Sequence, residues 1–486
     1  MSLQAAVLSS LKSGAITSLT GGIHSIHTVD DLKNHFQHSL HPYWFIHQSP
    51  VHSLGLQNVI PSLRFLSPTD WFNGALPQLF SPVLNDSESH QFSIDFLKRK
   101  DVADIIKKNG ANGSAAYLFF DEAVEEATQA LGLDICFPSA ELRRQFDDKC
   151  VGNRLAEEVS VLPVPYITIP VQDFKSLREQ ADKAGLGQDL VIQTPHGDSG
   201  QTTFFISSIE EYQPYAHSIE SAKEVRIMKR LLCRSIAVEG CITHAGVIVG
   251  APMNDLVGCP ELTPTPGGWC GNEVAPYLFS DALTQQMRAG TIRLGEALHR
   301  RGYWGCFEVD WLLEEGSNNV YFGEINPRFS GATALSNLTA DAIGAPLFLF
   351  HLAEFEQLPL DIDFDALNKQ AIDPDKLESW SSLIIKHLDT PPVYISDAPE
   401  AGVWQLENGK AVLQQKTPDI KQVTGDNQAF WIPEIRKNDQ SKKTDIWGRL
   451  MLRGRITDQN GQLTSRAKNW INAIRALHIL KDVYVA

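Results

Sequence analysis

The segment from residue 303 to residue 331 constrains the fold more than any other part of the chain. It alternates as two β-strands joined by a polar turn, with Asp310 on the first strand and Glu324, Asn326 and then Arg328 on or just after the second. Residues two apart on a strand share a face, so Glu324 and Asn326 project together, and regular hairpin pairing brings Asp310 beside them. Three oxygen ligands with an adjacent guanidinium suit Mg²⁺, which usually binds one or two carboxylates together with phosphate oxygens. The segment therefore predicts a site for a magnesium-bound nucleoside triphosphate.

Length and composition limit the classes of protein to which the chain can belong. Its 486 residues exceed what one hydrophobic core usually supports, which predicts two to four domains. A net charge of −16 argues against nucleic acid or an anionic membrane as partner, and no apolar run approaches the roughly 18–20 residues of a membrane span. Seven cysteines without a Cys-x-x-Cys pair, and a polar N-terminus, predict a cytoplasmic protein with reduced thiols.

The acidic hairpin also carries a resemblance to a known family. Gly-x-x-x-x-Asp ending at Asp310, followed by Phe-x-Glu-Ile-Asn-Pro-Arg ending at Arg328, resembles the metal-binding strands of the ATP-grasp superfamily. The resemblance implies ATP and Mg²⁺ (or Mn²⁺) as cofactors, with Asp310, Glu324 and Asn326 holding the metal and Arg328 steadying the transferring phosphoryl group. Glu308 is a rival for the first metal ligand, because Gly-x-Phe-Glu occurs in biotin-carboxylase-like members, but the spacing to Glu324 favours Asp310.

A glycine-containing loop lies upstream, between two predicted strands at residues 189–194 and 202–206. Gly197 and Gly200 allow the backbone to approach a phosphate closely, and Ser199 adds a hydroxyl. A Gly-Asp-Ser-Gly turn is common in β-hairpins. Its place before the acidic hairpin, however, resembles the loop that ATP-grasp enzymes fold over the β- and γ-phosphates.

Two further positions follow from the same resemblance. Lys149, which follows Asp148, matches a lysine that approaches the nucleotide phosphates. Gln193 stands where the family usually has a second lysine, and its amide donates hydrogen bonds without bringing a charge. Either another cation compensates (Lys149, Lys229 or Arg328), or nucleotide affinity is weaker, or the active site has decayed. The intact metal-ligand pattern speaks against decay.

Residues 226–232 occupy the place of the strand whose backbone reads the adenine edge in this family. Lys229 and Leu231 are the predicted nucleotide contacts there, and Glu239 is predicted to accept a hydrogen bond from the ribose or to lie beside the metal. Residues 254–276, rich in proline and glycine, are predicted to form a long loop that covers the substrate.

A basic cluster near the C-terminus stands out in an acidic protein. It comprises Arg449, Arg453 and Arg455, and strand alternation puts the last two on one face. Two interpretations remain open for the cluster: binding of a carboxylate, or pairing with acidic residues at a domain interface.

The order of predicted elements gives the fold class. We expect an α/β N-terminal domain with a parallel sheet at 1–135, an α+β ATP-grasp domain of two subdomains gripping ATP at 136–354, and a smaller C-terminal α+β domain at 355–486. The supporting predictions are strands at Tyr43–His47 and Ala116–Phe120, a helix at Glu122–Leu131, two strands around Gly240, a helix at 281–301, a hairpin turn at Asn460-Gly461 and a helix near 465–481.

These predictions favour an ATP-dependent ligase. A carboxylate would be activated as an acylphosphate and attacked by an amine or another nucleophile, releasing ADP and phosphate, so the expected partners are a small carboxylate and an amine. A homodimer is expected from the frequency of dimers among soluble enzymes. Two alternatives remain: a bicarbonate-activating carboxylase-like enzyme, although the chain has no Ala-Met-Lys-Met motif, and a catalytically silent nucleotide sensor, suggested by Gln193.

Overall fold

The computed structural model describes residues 25–82, 92–197, 200, 202–343 and 347–482. The first part of the chain forms a five-stranded sheet of order β3-β2-β1-β4-β5, in which every pair is parallel, as predicted. Its elements are α1 (Val29–His38), β1 (Tyr43–Ile46), β2 (Leu63–Leu66), β3 (Leu79–Phe80), α2 (Ile94–Leu97), α3 (Lys100–Gly110), β4 (Ser114–Ala116), α4 (Glu122–Ala130) and β5 (Asp134–Ile135).

The strand predicted at Ala116–Phe120 is wrong in its position, because β4 ends at Ala116. The following residues are buried for another reason: Tyr117 and Phe120 are fully buried in the core although they have left the sheet. Phe119 between them is 47% exposed, so this short connection presents one aromatic ring outward.

The middle of the chain divides between two antiparallel sheets. Its elements are α5 (Ala140–Phe146), α6 (Lys149–Glu158), β6 (Tyr166–Ile169), α7 (Phe174–Lys183), β7 (Leu190–Gln193), β8 (Thr203–Ile206), α8 (Ile209–Tyr212), α9 (Ala216–Glu220), β9 (Val225–Lys229), β10 (Cys233–Thr243), β11 (Gly246–Val249), β12 (Met253–Val257), β13 (Trp269–Val274), α10 (Asp281–His299), β14 (Gly305–Glu314), β15 (Val320–Asn326), α11 (Thr333–Ile343) and α12 (Leu347–Phe355). Strands β6-β9-β7-β8 form what we call the small sheet.

The remaining elements are α13 (Phe364–Gln370), β16 (Trp380–Lys386), β17 (Val393–Asp397), β18 (Gly402–Glu407), β19 (Lys410–Gln415), β20 (Gln428–Pro433), β21 (Gln440–Ser441), β22 (Ile446–Arg453), α14 (Ser465–Arg475) and β23 (Ile479–Asp482). What we call the large sheet has the order β15-β14-β10-β12-β13-β16-β22-β20-β18-β19, with β11 beside β10. Because β13 pairs with β16, this sheet continues across the predicted boundary between residues 354 and 355. The three-domain division stays a prediction.

Two sequence predictions about the large sheet are wrong. Residues 254–276 are not one long loop, because β12 and β13 pair as a hairpin and the prolines and glycines are concentrated in its connection at 258–268. Gly240 does not separate two strands: it lies within β10, which turns back only after Thr243. The hairpin predicted at Asn460-Gly461 is reduced to one bridge between Thr457 and Leu463.

Candidate active site

A cavity of about 820 Å³ lies between the small and large sheets, within the roughly 300–1,000 Å³ usual for small-molecule sites. Its wall takes residues from all three parts of the chain. It is lined by Met228–Cys233, which leave the small sheet for β10, and by residues of β14 and β15. It is also lined by His47, Phe119, Trp269, Glu434 and Arg449, among others.

The hairpin of β14 and β15 places its acids together as the sequence predicts. Asp310 lies opposite Glu324, and Glu308 lies opposite Asn326. The Asn326 amide donates to Glu308 Oε1 over 3.2 Å and to Asp310 Oδ2 over 3.3 Å, while Arg328 Nη2 donates to Asn326 Oδ1 over 2.9 Å. The predicted set therefore converges on one wall of the cavity, and Glu308 belongs to it as fully as Asp310 does.

Crowding of these carboxyls changes their acidity. Burial raises the pKa of Glu308 to about 8, and the nearby Glu239 and Asp255 carboxylates act in the same direction. Burial also holds the pKa of Asp310 well above its usual range, with Glu308 and Glu324 adding to the rise. The positive charges of the protein therefore do not compensate these carboxylates when they are ionised. A bound cation would stabilise the ionised form.

Glu324 differs from its neighbours because cations reach it. Burial alone would raise its pKa, but Lys149 and Arg226 hold the pKa below the usual value. Lys149 Nζ lies 3.1 Å from Glu324 Oε2 and donates to the Gly197 carbonyl over 2.9 Å. The side chain of Asp148 caps α6 by accepting from the amides of Cys150 and Val151, and this fixes Lys149 at the start of the helix.

Arg226 on β9 was missed by sequence reasoning, which considered other cations. It lies directly opposite Gln193 on β7, and Gln193 Oε1 accepts hydrogen bonds from both Nε and Nη2 of Arg226. Its Nη1 donates to Asn153 Oδ1 and to the Gly323 carbonyl, each over 2.6 Å. The position that lacks the expected lysine therefore holds a buried guanidinium at the cavity wall. A buried, alternating strand gives few sequence signals that one arginine faces a site.

The glycine loop joins the start of α6. Lys149 N–H donates to the Pro195 carbonyl, and both Gly197 and Gly200 line the cavity. Gly200 has φ +78°, and a Cβ there would lie 2.2 Å from the Gly267 carbonyl oxygen, so glycine is required. The prediction for Ser199 lies outside the described residues.

The nucleotide contacts predicted in and after residues 226–232, a segment called the hinge below, do not all line the cavity. Lys229 and Leu231 line the cavity. Glu239 does not: it is buried behind Glu308, where its Oε1 accepts from the hydroxyls of Ser330 and Thr333. Glu239 therefore shapes the wall from behind, because the loop that follows Arg328 covers its carboxylate.

Asp255 on β12 is a cavity carboxyl that the sequence interpretation had placed in a loop. It accepts from Ser235 Oγ over 2.6 Å and from Asn272 Nδ2 over 2.5 Å. Burial raises its pKa to about 7. Correct recognition of β12 and β13 as strands would have placed Asp255 and Asn272 on the face shared with the acidic hairpin.

The C-terminal basic cluster resolves into two roles. Arg455 pairs with the fully buried Glu273, and Arg453 pairs with Glu378 while its Cζ lies 4.4 Å from the Trp380 ring centroid. The Arg455 pair joins the predicted second and third domains, whereas the Arg453 contacts lie within the predicted C-terminal domain. Arg449 alone of the three lines the cavity.

Solved structures with this architecture cover most of the chain at low sequence identity. Biotin carboxylase from Campylobacter jejuni is 12% identical, with a TM-score of 0.60 over 90% of this chain and 92% of that chain. N5-carboxyaminoimidazole ribonucleotide synthetase from Thermotoga maritima is 14% identical, with a TM-score of 0.53 over 91% of this chain and 100% of that chain. Rhizobium etli pyruvate carboxylase is 12% identical, with a TM-score of 0.57 over 91% of this chain but 40% of that much longer chain.

No protein-family model and no curated protein sequence matches the chain. The structural matches show that it has the ATP-grasp fold, which confirms that prediction. Among the described residues, no helix has the length and apolar character needed to cross a membrane. All seven cysteines are free thiols.

Proposed function

We propose that this protein is an ATP-dependent ligase that activates a carboxylate as an acylphosphate and transfers the acyl group to an amine, releasing ADP and phosphate. The observation that carries the proposal is the convergence of Glu308, Asp310, Glu324, Asn326 and Arg328 on one cavity wall. The low identity of the structural neighbours supports the fold alone, so the chemistry depends on this geometry.

The donor set fits Mg²⁺ together with ATP. Carboxylate and amide oxygens are the ligands that Mg²⁺ prefers, and the buried acids need positive charge to ionise. Glu308 or Asp310 with Glu324 and Asn326 would hold the metal, which neutralises charge on the phosphates when bound. Among the neighbours, the Aspergillus clavatus carboxyaminoimidazole ribonucleotide synthase is described as complexed with ATP and the Hydrogenobacter thermophilus carboxylase domain with MgADP.

The protein's own residues would bind, orient and protect the reacting groups. Lys149 and the backbone amides of Gly197 and Gly200 hold the phosphates, and the buried Arg226 adds positive charge. Arg328, fixed by Asn326, steadies the acylphosphate as charge shifts to its oxygens. Gly200 lies against Gly267 of the β12–β13 connection, and this contact limits access of water to an intermediate that hydrolyses readily.

A bicarbonate-activating reaction is the second candidate. One of them, the Hydrogenobacter domain, is described in complex with bicarbonate. In that case MgATP and bicarbonate would sustain phosphate release without any other acid. The nucleotide-sensor alternative instead predicts MgATP binding without turnover. A cytoplasmic location and a homodimer remain predictions, as do a small carboxylate and an amine as substrates.

The proposal is tested by phosphate release from MgATP, with small carboxylic acids and amines supplied singly and in pairs. Release that requires both an acid and an amine is the expected result, and Glu324→Gln should abolish it. Glu315→Gln, at an exposed position just after β14 in the same hairpin, is the matched control and should leave the rate unchanged. Tight MgATP binding with no release across the whole panel would overturn the ligase proposal.

A further inference from the structure

The part of the cavity lined by Trp269, Glu434 and Arg449, called its C-terminal end below, contains a buried ion pair. Arg449 on β22 donates from Nε to Glu434 Oε1 over 3.1 Å, and both side chains are less than one-tenth exposed. Both residues line the cavity. An ion pair this deeply placed costs desolvation energy, which a stable protein must recover through good geometry and further hydrogen bonds.

Each residue of this pair has one polar atom that makes no hydrogen bond within the described part of the protein and is available to a ligand. Arg449 Nη1 donates to the Gly331 carbonyl over 3.1 Å, and its Nη2 has no hydrogen-bond partner in the described part of the chain. Glu434 Oε2 also has no hydrogen-bond partner among the described residues, because the side chain of Glu434 accepts its hydrogen bond there through Oε1. The cavity wall therefore presents one guanidinium donor and one carboxylate acceptor side by side.

We propose that this end of the cavity binds the amine substrate, and that this substrate is an amino acid, a deduction that rests on the ligase function proposed above. The carboxylate of the amino acid accepts from Arg449 Nη2, and its ammonium group donates to Glu434 Oε2. A dipolar ligand suits a paired cation and anion, because each charge meets its opposite and the pair remains neutral overall. A purely anionic ligand would be repelled by Glu434, and a purely cationic amine by Arg449.

The pair is connected to the reacting centre through four consecutive residues. Arg328 contacts Asn326, Ser330 Oγ donates to Glu308, and the next residue, Gly331, accepts from Arg449. The residues proposed to hold the amine therefore contact the segment that carries Arg328 and Ser330. The ammonium group gives one proton to Glu434, its nitrogen then attacks the activated carbonyl, and phosphate leaves.

Aromatic rings give this end of the cavity its apolar surface. Arg449 Cζ lies 5.7 Å from the Trp269 ring centroid, and Arg328 Cζ lies 5.8 Å from that of Phe119. The Trp269 ring packs directly on Gly331, where a Cβ would lie 2.2 Å from it, so the ring position is fixed. These ring faces suit the apolar side chain of an amino acid. The contacts with the rings also restrict the orientation of the Arg449 and Arg328 guanidinium groups.

The test measures binding directly, by ligand-observed NMR with each proteinogenic L-amino acid, with and without MgADP. At least one amino acid is expected to bind with a dissociation constant of about 10 mM or tighter. Its carboxamide, which lacks the carboxylate charge, and its N-acetyl derivative, which lacks the ammonium charge, should each bind about tenfold more weakly. Absence of binding by every amino acid, or equal binding of these analogues, overturns the proposal.

Variants sharpen the assignment. Removing one charge leaves its partner buried and unpaired, so the double variant Arg449→Gln/Glu434→Gln is used, which should retain MgADP binding and lose amino-acid binding by at least about tenfold. Arg453→Gln/Glu378→Gln, an ion pair outside the cavity whose arginine lies on the same strand as Arg449, is the matched control and should bind as wild type does. Unchanged binding by the first double variant contradicts the assignment.

Failure of this inference is distinguishable from failure of the ligase proposal. Phosphate release with plain amines, together with no amino-acid binding, would overturn the inference and leave the ligase function standing. Amino-acid binding in a protein that never turns over MgATP would support the subsite and overturn the ligase.

Discussion

The small sheet and strands β12, β14 and β15 of the large sheet bring opposite charges to the cavity. The small sheet and the segment that leaves it contribute Arg226, Lys229 and Arg230, whereas these three strands contribute Asp255, Glu308, Asp310 and Glu324. Burial and neighbouring acids raise the pKa values of Glu308 and Asp310, while Lys149 and Arg226 lower the pKa of Glu324. Charge compensation in this protein therefore runs across the cavity, so the two sides of the site depend on each other and on any cation placed between them.

The largest expected effect comes from removing the acids of the large sheet. Asp310→Asn combined with Glu324→Gln should lower ATP-dependent phosphate release about 100-fold or more, because phosphate charge would lose its metal-mediated neutralisation. Near-isosteric amides keep the shape of the wall, so circular dichroism and thermal melting should remain close to wild type. Full activity in this double variant would exclude the proposed site.

The next effect tests the small sheet. Arg226→Met should weaken MgADP binding about 10- to 100-fold by calorimetry, because a buried charge near the phosphates is lost. Gln193 and Arg226 are opposite each other, so adding Gln193→Lys to this variant moves the charge by one strand spacing of about 4.8 Å. This double variant should recover most of the affinity. No recovery, with both proteins folded, would mean that Arg226 acts through its hydrogen bonds to Asn153 and Gly323 rather than its charge.

A smaller effect follows from the raised pKa of Glu308, about 8 in the folded protein. A carboxyl whose pKa is higher folded than unfolded binds its proton more tightly in the folded state, so its stabilising contribution is lost as pH rises toward that value. Between pH about 6.5 and 8, the buried histidines whose pKa is lowered act in the opposite direction, and they do so equally in wild type and in Glu308→Gln. Over this window, the melting temperature of wild type without metal should fall relative to that of Glu308→Gln.

Addition of MgADP should reduce that fall, because a cation favours the ionised carboxylates. Differential scanning calorimetry at several pH values, with and without MgADP, makes the comparison. A melting temperature that rises with pH over this window in wild type, relative to Glu308→Gln, contradicts the assignment of the titrating group.

The smallest effect is expected outside the cavity. Arg453→Met breaks a partly exposed pair with Glu378 and keeps an apolar side chain over Trp380. The free energy of unfolding should change by about 1 kcal/mol or less, and phosphate release should be unchanged. A large loss of activity would show that Arg453 affects the site, and it would contradict the assignment of Arg449 to the cavity and of Arg453 to contacts outside it.

Much of the site is encoded locally. The positions of Asp310, Glu324 and Asn326 follow from strand alternation and hairpin pairing, and the start of α6 at Asp148-Lys149 follows from helix capping. The glycine loop is similarly visible, because close backbone approach requires residues without side chains. Such features are readable because each depends on residues a few positions apart.

Other features depend on which distant strands become neighbours. The prolines and glycines at 258–268 indicate a loop by composition, so β12 and β13 were not predicted. Asp255 and Asn272, which lie on these strands, were therefore not predicted as site residues. Arg226 faces Gln193 only because β9 pairs with β7, and Arg449 meets Glu434 and Gly331 only because β22 joins the large sheet.

The sequence by itself determined the acidic hairpin, the glycine loop and the parallel N-terminal sheet, because short-range periodicity and turn chemistry specify them. The tertiary structure alone decided where the compensating charge lies and which arginine of the C-terminal strand reaches the cavity. The physical reason is that charge compensation depends on distance in space, and strands far apart in the chain acquire that distance only when the sheets assemble.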